Sequence, residues 1–164
     1  MSQVETAPAE YPFSDGVAFI DGEYVPVAEA RIPVTDWGFL RSDVTYDVVA
    51  VWGGGFFRLQ DHLDRFFRSI GELNMQSPYD RENIASILTK CVSRSELRES
   101  YVKMILTRGS PPPGSRDPRD CENGFYALAI PYVWIADEEK QAEGFHMSVS
   151  TVPRISPESV DPTV

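Results

Sequence analysis

Apolar and polar positions follow three rhythms along the chain. Between Val17 and Pro26 two short apolar runs flank Asp21-Gly22, a dipeptide that readily takes the positive φ values of a tight turn, and a β-hairpin is predicted there. Thr45 to Trp52 is rich in β-branched and aromatic residues and reads as a strand. Gly53-Gly54-Gly55 turns it toward Phe56-Phe57-Arg58-Leu59, giving a second hairpin. No P-loop-like helix signal follows the triplet, so a simple turn is preferred to a phosphate cradle.

From about Gln60 the spacing becomes helical. Leu63, Phe66, Phe67, Ile70 and Leu73 fall within one arc, with His62 at its edge and Arg65 outside it. A second helix is predicted from Ser77-Pro78-Tyr79-Asp80, with Ser77 as cap, Pro78 in the first helical position and Asp80 closing a capping box. Its buried stripe is Ile84, Ile87, Leu88 and Cys91. Strand patterns return at Tyr101 to Thr107, Gly124 to Tyr132 and Phe145 to Val152. The Pro-rich stretch from Ser110 to Asp120 cannot join a ladder and reads as a surface loop carrying Arg116 and Arg119. The expected fold is α/β (α+β type): a mostly antiparallel sheet with two helices on one side.

Composition narrows the function classes. The 164 residues are 42% hydrophobic, enough for one domain or one domain plus the edge of another. With 25 acidic against 15 basic side chains the net charge is −10, which argues against a general nucleic-acid binder. No apolar run approaches the roughly 20 residues that cross a bilayer. Met1 to Tyr11 lacks the pattern of a signal peptide, and Cys91 and Cys121 make neither a disulfide framework nor a metal site. A cytoplasmic protein with free thiols, no membrane contact and no metal is the expectation.

Three ordered segments carry a resemblance. Asp36-Trp37-Gly38-Phe39-Leu40-Arg41-Ser42-Asp43-Val44-Thr45-Tyr46-Asp47-Val48-Val49 is the first, Phe57-Arg58-Leu59-Gln60-Asp61-His62-Leu63-Asp64-Arg65 the second, and Leu106-Thr107-Arg108-Gly109 the third. Together with Val160-Asp161-Pro162-Thr163-Val164 they resemble the fold type IV pyridoxal-phosphate enzymes, which include D-amino-acid, branched-chain and (R)-selective amine transaminases. The resemblance implies that Arg65 binds the cofactor phosphate. It implies that Arg41, Tyr46 and Val48 build a wall of the substrate pocket, and that Arg116, rather than Arg119, meets a keto-acid carboxylate. Read without it, Arg65 is a surface arginine paired with Asp61 or Asp64, and Tyr46 and Val48 are ordinary strand residues. His62 and His146 receive no catalytic role, and His62 is expected to pack or hydrogen-bond at the helix edge.

A basic residue at Arg41 within Arg-Ser-Asp-x-Thr-Tyr-Asp-Val resembles the (R)-selective amine enzymes most. The implied activity is transfer of an amino group between a primary amine and a keto acid such as pyruvate, by a homodimer. A D-amino-acid or branched-chain aminotransferase, the lyase that releases pyruvate from aminodeoxychorismate, and a non-catalytic relative are the alternatives. The family chemistry uses a lysine amine, which the resemblance places directly after Val164. The only lysines, Lys90, Lys103 and Lys140, all have surface readings and lack its sequence context. The sequence reads as cut at that point, by a covalently modified lysine in preference to true fragmentation. The expected organisation is a flexible leader (1–14), a small α/β domain (15–136), and an interdomain segment leading to a larger second domain (137–164).

Overall fold

The computed structural model describes residues 11–153, 155, 156, 158 and 159. Six strands form one sheet: β1 (Val17–Ile20), β2 (Glu23–Pro26), β3 (Val44–Trp52), β4 (Gly55–Phe56), β5 (Ser100–Ser110) and β6 (Glu122–Pro131). Their order across it is β2-β1-β6-β5-β3-β4, and every neighbouring pair is antiparallel. The first hairpin turns at Asp21-Gly22, both with positive φ (49° and 83°), as the dipeptide predicts. The central ladder pairs Val44 through Val51 of β3 with Thr107 back through Ser100 of β5.

Helices α2 (Leu59–Glu72) and α3 (Arg81–Ser95) cover one face of this sheet. Burial along β3 alternates, with Thr45, Asp47, Val49 and Val51 turned beneath the helices. Leu63, Phe66 and Ile70 of α2 and Ile84, Ile87, Leu88 and Cys91 of α3 meet them in one continuous core. The helical stripes read from sequence are the stripes the fold buries. Phe67 and Leu73 pack at the margin of that core. Burial pushes the Cys91 thiol up to about 12, so it behaves as a small apolar side chain.

The opposite face is open. Tyr46, Val48 and Ala50 of β3 lie on it, as do Lys103 and Ile105 of β5 and Tyr126 and Leu128 of β6. A short helix, α1 (Trp37–Arg41), sits at one end of this face, and a further turn of helix, α4 (Glu138–Glu143), follows β6. Neither is signalled by apolar periodicity, because five or six residues are too few to show one.

Three expectations are corrected. Phe145 to Val152 forms no strand: its alternate residues Phe145, Met147 and Val149 stand exposed, with no described surface to cover them. The second hairpin is shorter than its pattern, since β4 stops at Phe56 and Leu59 already belongs to α2. Asp80, not Ser77, caps α3, its carboxylate accepting from the Asn83 N–H at 2.8 Å. Ser77 instead closes a local turn, accepting from the Tyr79 N–H and donating to the Tyr79 carbonyl.

Candidate functional site

Asp47 is an anomaly of the strand pattern: a carboxylate at a position that faces the core. Its side chain is 2% exposed. Such a group is tolerated only when its lone pairs are satisfied, and they are. Arg65, one and a half turns into α2, donates from Nε to Oδ2 at 2.6 Å and from Nη2 to Oδ1 at 2.8 Å. His62 lies 2.8 Å from the same Oδ1 through Nδ1, and the Val48 N–H donates to it at 2.7 Å. With Nδ1–H given to the carboxylate, the Arg65 Nη2 at 3.2 Å is a neighbour of His62 and not a second donor to it. Burial alone would raise the Asp47 carboxyl, but the hydrogen bonds from Arg65 and His62 outweigh it and hold it below the ordinary carboxylate value.

The Arg65 side chain is 55% exposed. It lines a cleft of about 300 Å³ at the start of α2, together with Phe57, Arg58, Asp61, His62 and Arg68. Arg65 pairs with neither Asp61 nor Asp64, whose partners are Arg58 and Arg81. Asp47 occupies the Nε–Nη2 edge of the guanidinium. The fork geometry leaves two N–H groups on the Nη1–Nη2 edge for an anion, and the helix N-terminus adds partial positive charge. Arg65 therefore fits a phosphate group.

The other predicted site residues lie elsewhere. Tyr46 and Val48 are on the open face, the opposite side of the strand from Asp47. The Lys103 ammonium stands 4.4 Å from the centre of the Tyr46 ring, and Lys103 is the ladder partner of Val48. Arg41 stacks on Trp37, its guanidinium carbon 3.8 Å from the ring centre. Arg116 is exposed on the Pro-rich loop, whereas Arg119 is tied to Asp117 by three hydrogen bonds. The structure thus sets Tyr46 and Val48 on the open side of β3, Arg65 on the helix side, and Arg41 against Trp37 within α1. An apolar cleft of about 360 Å³ runs between α1 and the open face, lined by Ile20, Phe39, Val44, Ile105 and Leu128 among others. The position directly after Val164, where the lysine is expected, lies outside the described residues.

Two motif residues without an assigned role prove to hold the site's framework. Asp36 is 1% exposed and caps α1, accepting from the Gly38 N–H at 2.7 Å. Its other oxygen accepts from the Thr107 hydroxyl at 2.7 Å and the Tyr126 hydroxyl at 3.3 Å, which fastens α1 to the open face. Arg108 donates to both oxygens of Asp43 and to the carbonyls of Leu73 and Asn74, tying the end of α2 to the turn before β3. For Asp47 the signal was present: a charged residue in phase with the core-facing positions of an alternating strand.

A family model for class IV amino-transferases matches residues 45–164. The chain belongs to the class IV aminotransferase family. It is 26% identical over 147 residues to a putative branched-chain-amino-acid aminotransferase of Methanocaldococcus jannaschii, covering 89% of this chain and 49% of that protein. It is 29% identical over 91 residues to a D-alanine aminotransferase of Staphylococcus aureus, covering 56% of this chain and 32% of the other. Among solved structures, the branched-chain aminotransferase of the archaeon Thermoproteus uzoniensis with norvaline superimposes with a TM-score of 0.63 at 23% identity, over 71% of this chain and 41% of that one. The Escherichia coli branched-chain enzyme gives 0.67 at 14% identity, over 75% and 42%. At these identities the structural likeness shows a shared fold. The chain spans about half or less of the length of these relatives. Among the described residues no helix is long and apolar enough to cross a membrane, and no cluster of potential metal ligands occurs.

Proposed function

We propose that this class IV chain works as a pyridoxal-phosphate-dependent aminotransferase, moving an amino group between a primary amine, of the (R) series, and a keto acid such as pyruvate. The observation that carries the cofactor assignment is Arg65: its guanidinium is fixed along one edge by Asp47, and its side chain lines an arginine-rich cleft. When bound, the cofactor supplies an aldehyde that takes up the amino group and a ring that spreads the negative charge developed at the substrate carbon. The lysine it requires is assigned to the position after Val164, in a second domain. Arg65 holds the phosphate. Arg41, Tyr46 and Val48 form one wall of the amine pocket, and a homodimer is the expected assembly.

Arg116 is assigned to the keto-acid carboxylate. A fixed buried cation would oppose an apolar amine in the alternate half-reaction, whereas an exposed loop arginine can serve one substrate and leave the other. Arg119 is less suited, since Asp117 already neutralises it.

The cofactor assignment is tested with Arg65→Ala. Its affinity for pyridoxal phosphate is expected to fall about a hundredfold or more, the loss of two charge-assisted hydrogen bonds, while affinity for phosphate-free pyridoxal holds. Folding stability falls as well, because Asp47 loses its main partner. The ratio of the two affinities is therefore the informative readout, and an equal loss for both ligands counts against the assignment.

Substrate class is tested with (R)-1-phenylethylamine, D-alanine and L-leucine, each with a suitable keto acid. Faster turnover of the amine is the expected result. Preference for D-alanine or L-leucine would replace it with the second reading, a D-amino-acid or branched-chain aminotransferase. The named curated relatives favour that second reading, and the sequence around Arg41 favours the first.

A further inference from the structure

We propose that Asp47 is a positioning residue for phosphate recognition: it clamps one edge of the Arg65 guanidinium so that the other is presented as a preformed anion fork. The inference rests on the assignment of Arg65 to the cofactor phosphate and adds a second residue to it.

The geometry is asymmetric in a way that a simple surface ion pair is not. The carboxylate is 2% exposed and the guanidinium side chain 55%. Asp47 stands on the sheet, inside the ladder with β5, where its partner is Met104. It cannot swing, because the Val48 N–H and His62 Nδ1 hold Oδ1 from two further directions. Arg65, on an exposed helix turn, would otherwise sample many rotamers, and ordering it on binding would cost affinity. The bidentate contact to Asp47 removes that freedom beforehand. It also makes the guanidinium hold its proton more firmly than usual. The helix-to-sheet attachment alone does not need this pair, since Leu63, Phe66 and Ile70 already bury the contact face of α2.

The test uses the intact purified protein, titrated with pyridoxal phosphate and with pyridoxal, following the visible spectrum. Asp47→Asn keeps the shape of the side chain and removes its charge and one acceptor. It is expected to lower the preference for pyridoxal phosphate over pyridoxal by about tenfold or more. In an Arg65→Ala background the same change is expected to alter the preference no further. A structural role alone would weaken both ligands together and leave the preference intact, which overturns the proposal. Tighter pyridoxal phosphate binding in Asp47→Asn overturns it too, because Asp47 would then be a competitor for Arg65.

Arg65→Ala separates this outcome from the underlying assignment. If that variant keeps the full preference, the phosphate assignment falls. If it loses the preference while Asp47→Asn keeps it, only the positioning role falls. Should Asp47→Asn fail to fold, Arg65→Lys decides. Lysine preserves the charge beside Asp47 but has no second fixed edge, so a preference lowered by about tenfold supports the proposal and an unchanged one overturns it.

Discussion

Replacing Gly109 by alanine is expected to leave little folded protein at ordinary temperature. Gly109 has φ +77° and sits in a bulge where the β5–β6 register shifts between Thr107 and Ser110. A Cβ built there would lie 1.8 Å from the Glu122 carbonyl oxygen, a main-chain atom with nowhere to go. Relief requires the two strands to part, and the left-handed backbone adds its own cost of about 1–2 kcal/mol. The sum exceeds about 4 kcal/mol, a large share of the stability of a domain this size. Circular dichroism and solubility of the variant provide the check, and a cooperative melt within a few degrees of the parent would contradict it. By contrast Gly54→Ala meets no atom within 4 Å, and only its φ of +87° is unfavourable, so a loss of about 1–2 kcal/mol is expected.

The second large effect is expected from Asp36→Ala. That carboxylate caps α1 and accepts two hydroxyl hydrogen bonds, from Thr107 and Tyr126, so its removal takes an acceptor from three donors and leaves the Thr107 hydroxyl only the Gly124 carbonyl at 3.4 Å. A destabilisation of about 2–4 kcal/mol follows from the cap and the stranded polar groups. Tyr126 supplies an independent signature. Burial, and then the negative charge of Asp36, push its hydroxyl up to about 12. A raised value means that the folded state holds the proton more tightly than the unfolded chain. This contribution to stability is complete below the ordinary tyrosine value of about 10 and is lost as pH rises through about 12. In Asp36→Ala the ultraviolet titration of Tyr126 is expected to shift down toward the ordinary value while staying above it, because the burial effect remains. An unshifted titration would show that Asp36 does not govern this hydroxyl.

Elements with a strong period were legible in the sequence. The stripes of α2 and α3, the alternation of β3 and the Asp21-Gly22 turn each express one local rule, and the fold obeys all of them. What escaped depends on contacts between distant segments. Helix α1 exists because Asp36 reaches Thr107, 71 positions away, and no window of sequence contains both. Phe145 to Val152 carries the opposite lesson, since its alternation is genuine but the described chain supplies neither a ladder partner nor a surface for it. The motif Thr107-Arg108-Gly109 was visible as a resemblance, yet its physical content appears only in three dimensions. One residue fastens α1, the next fastens the end of α2, and the third permits the bulge that separates their directions. The clamp on Arg65 was half legible: His62 was placed at the helix edge where it indeed hydrogen-bonds, but the carboxylate beneath it was not singled out.

The sheet of this protein has unequal faces, and the inequality bears on how its chemistry can diverge. Positions 45, 47, 49 and 51 of β3 carry the packing load, whereas 46, 48 and 50 share the strand but leave the interior untouched. A change at the second set alters what the outward surface offers without opening a void beneath the helices. Natural variants and laboratory libraries can therefore vary that register with little penalty in foldability.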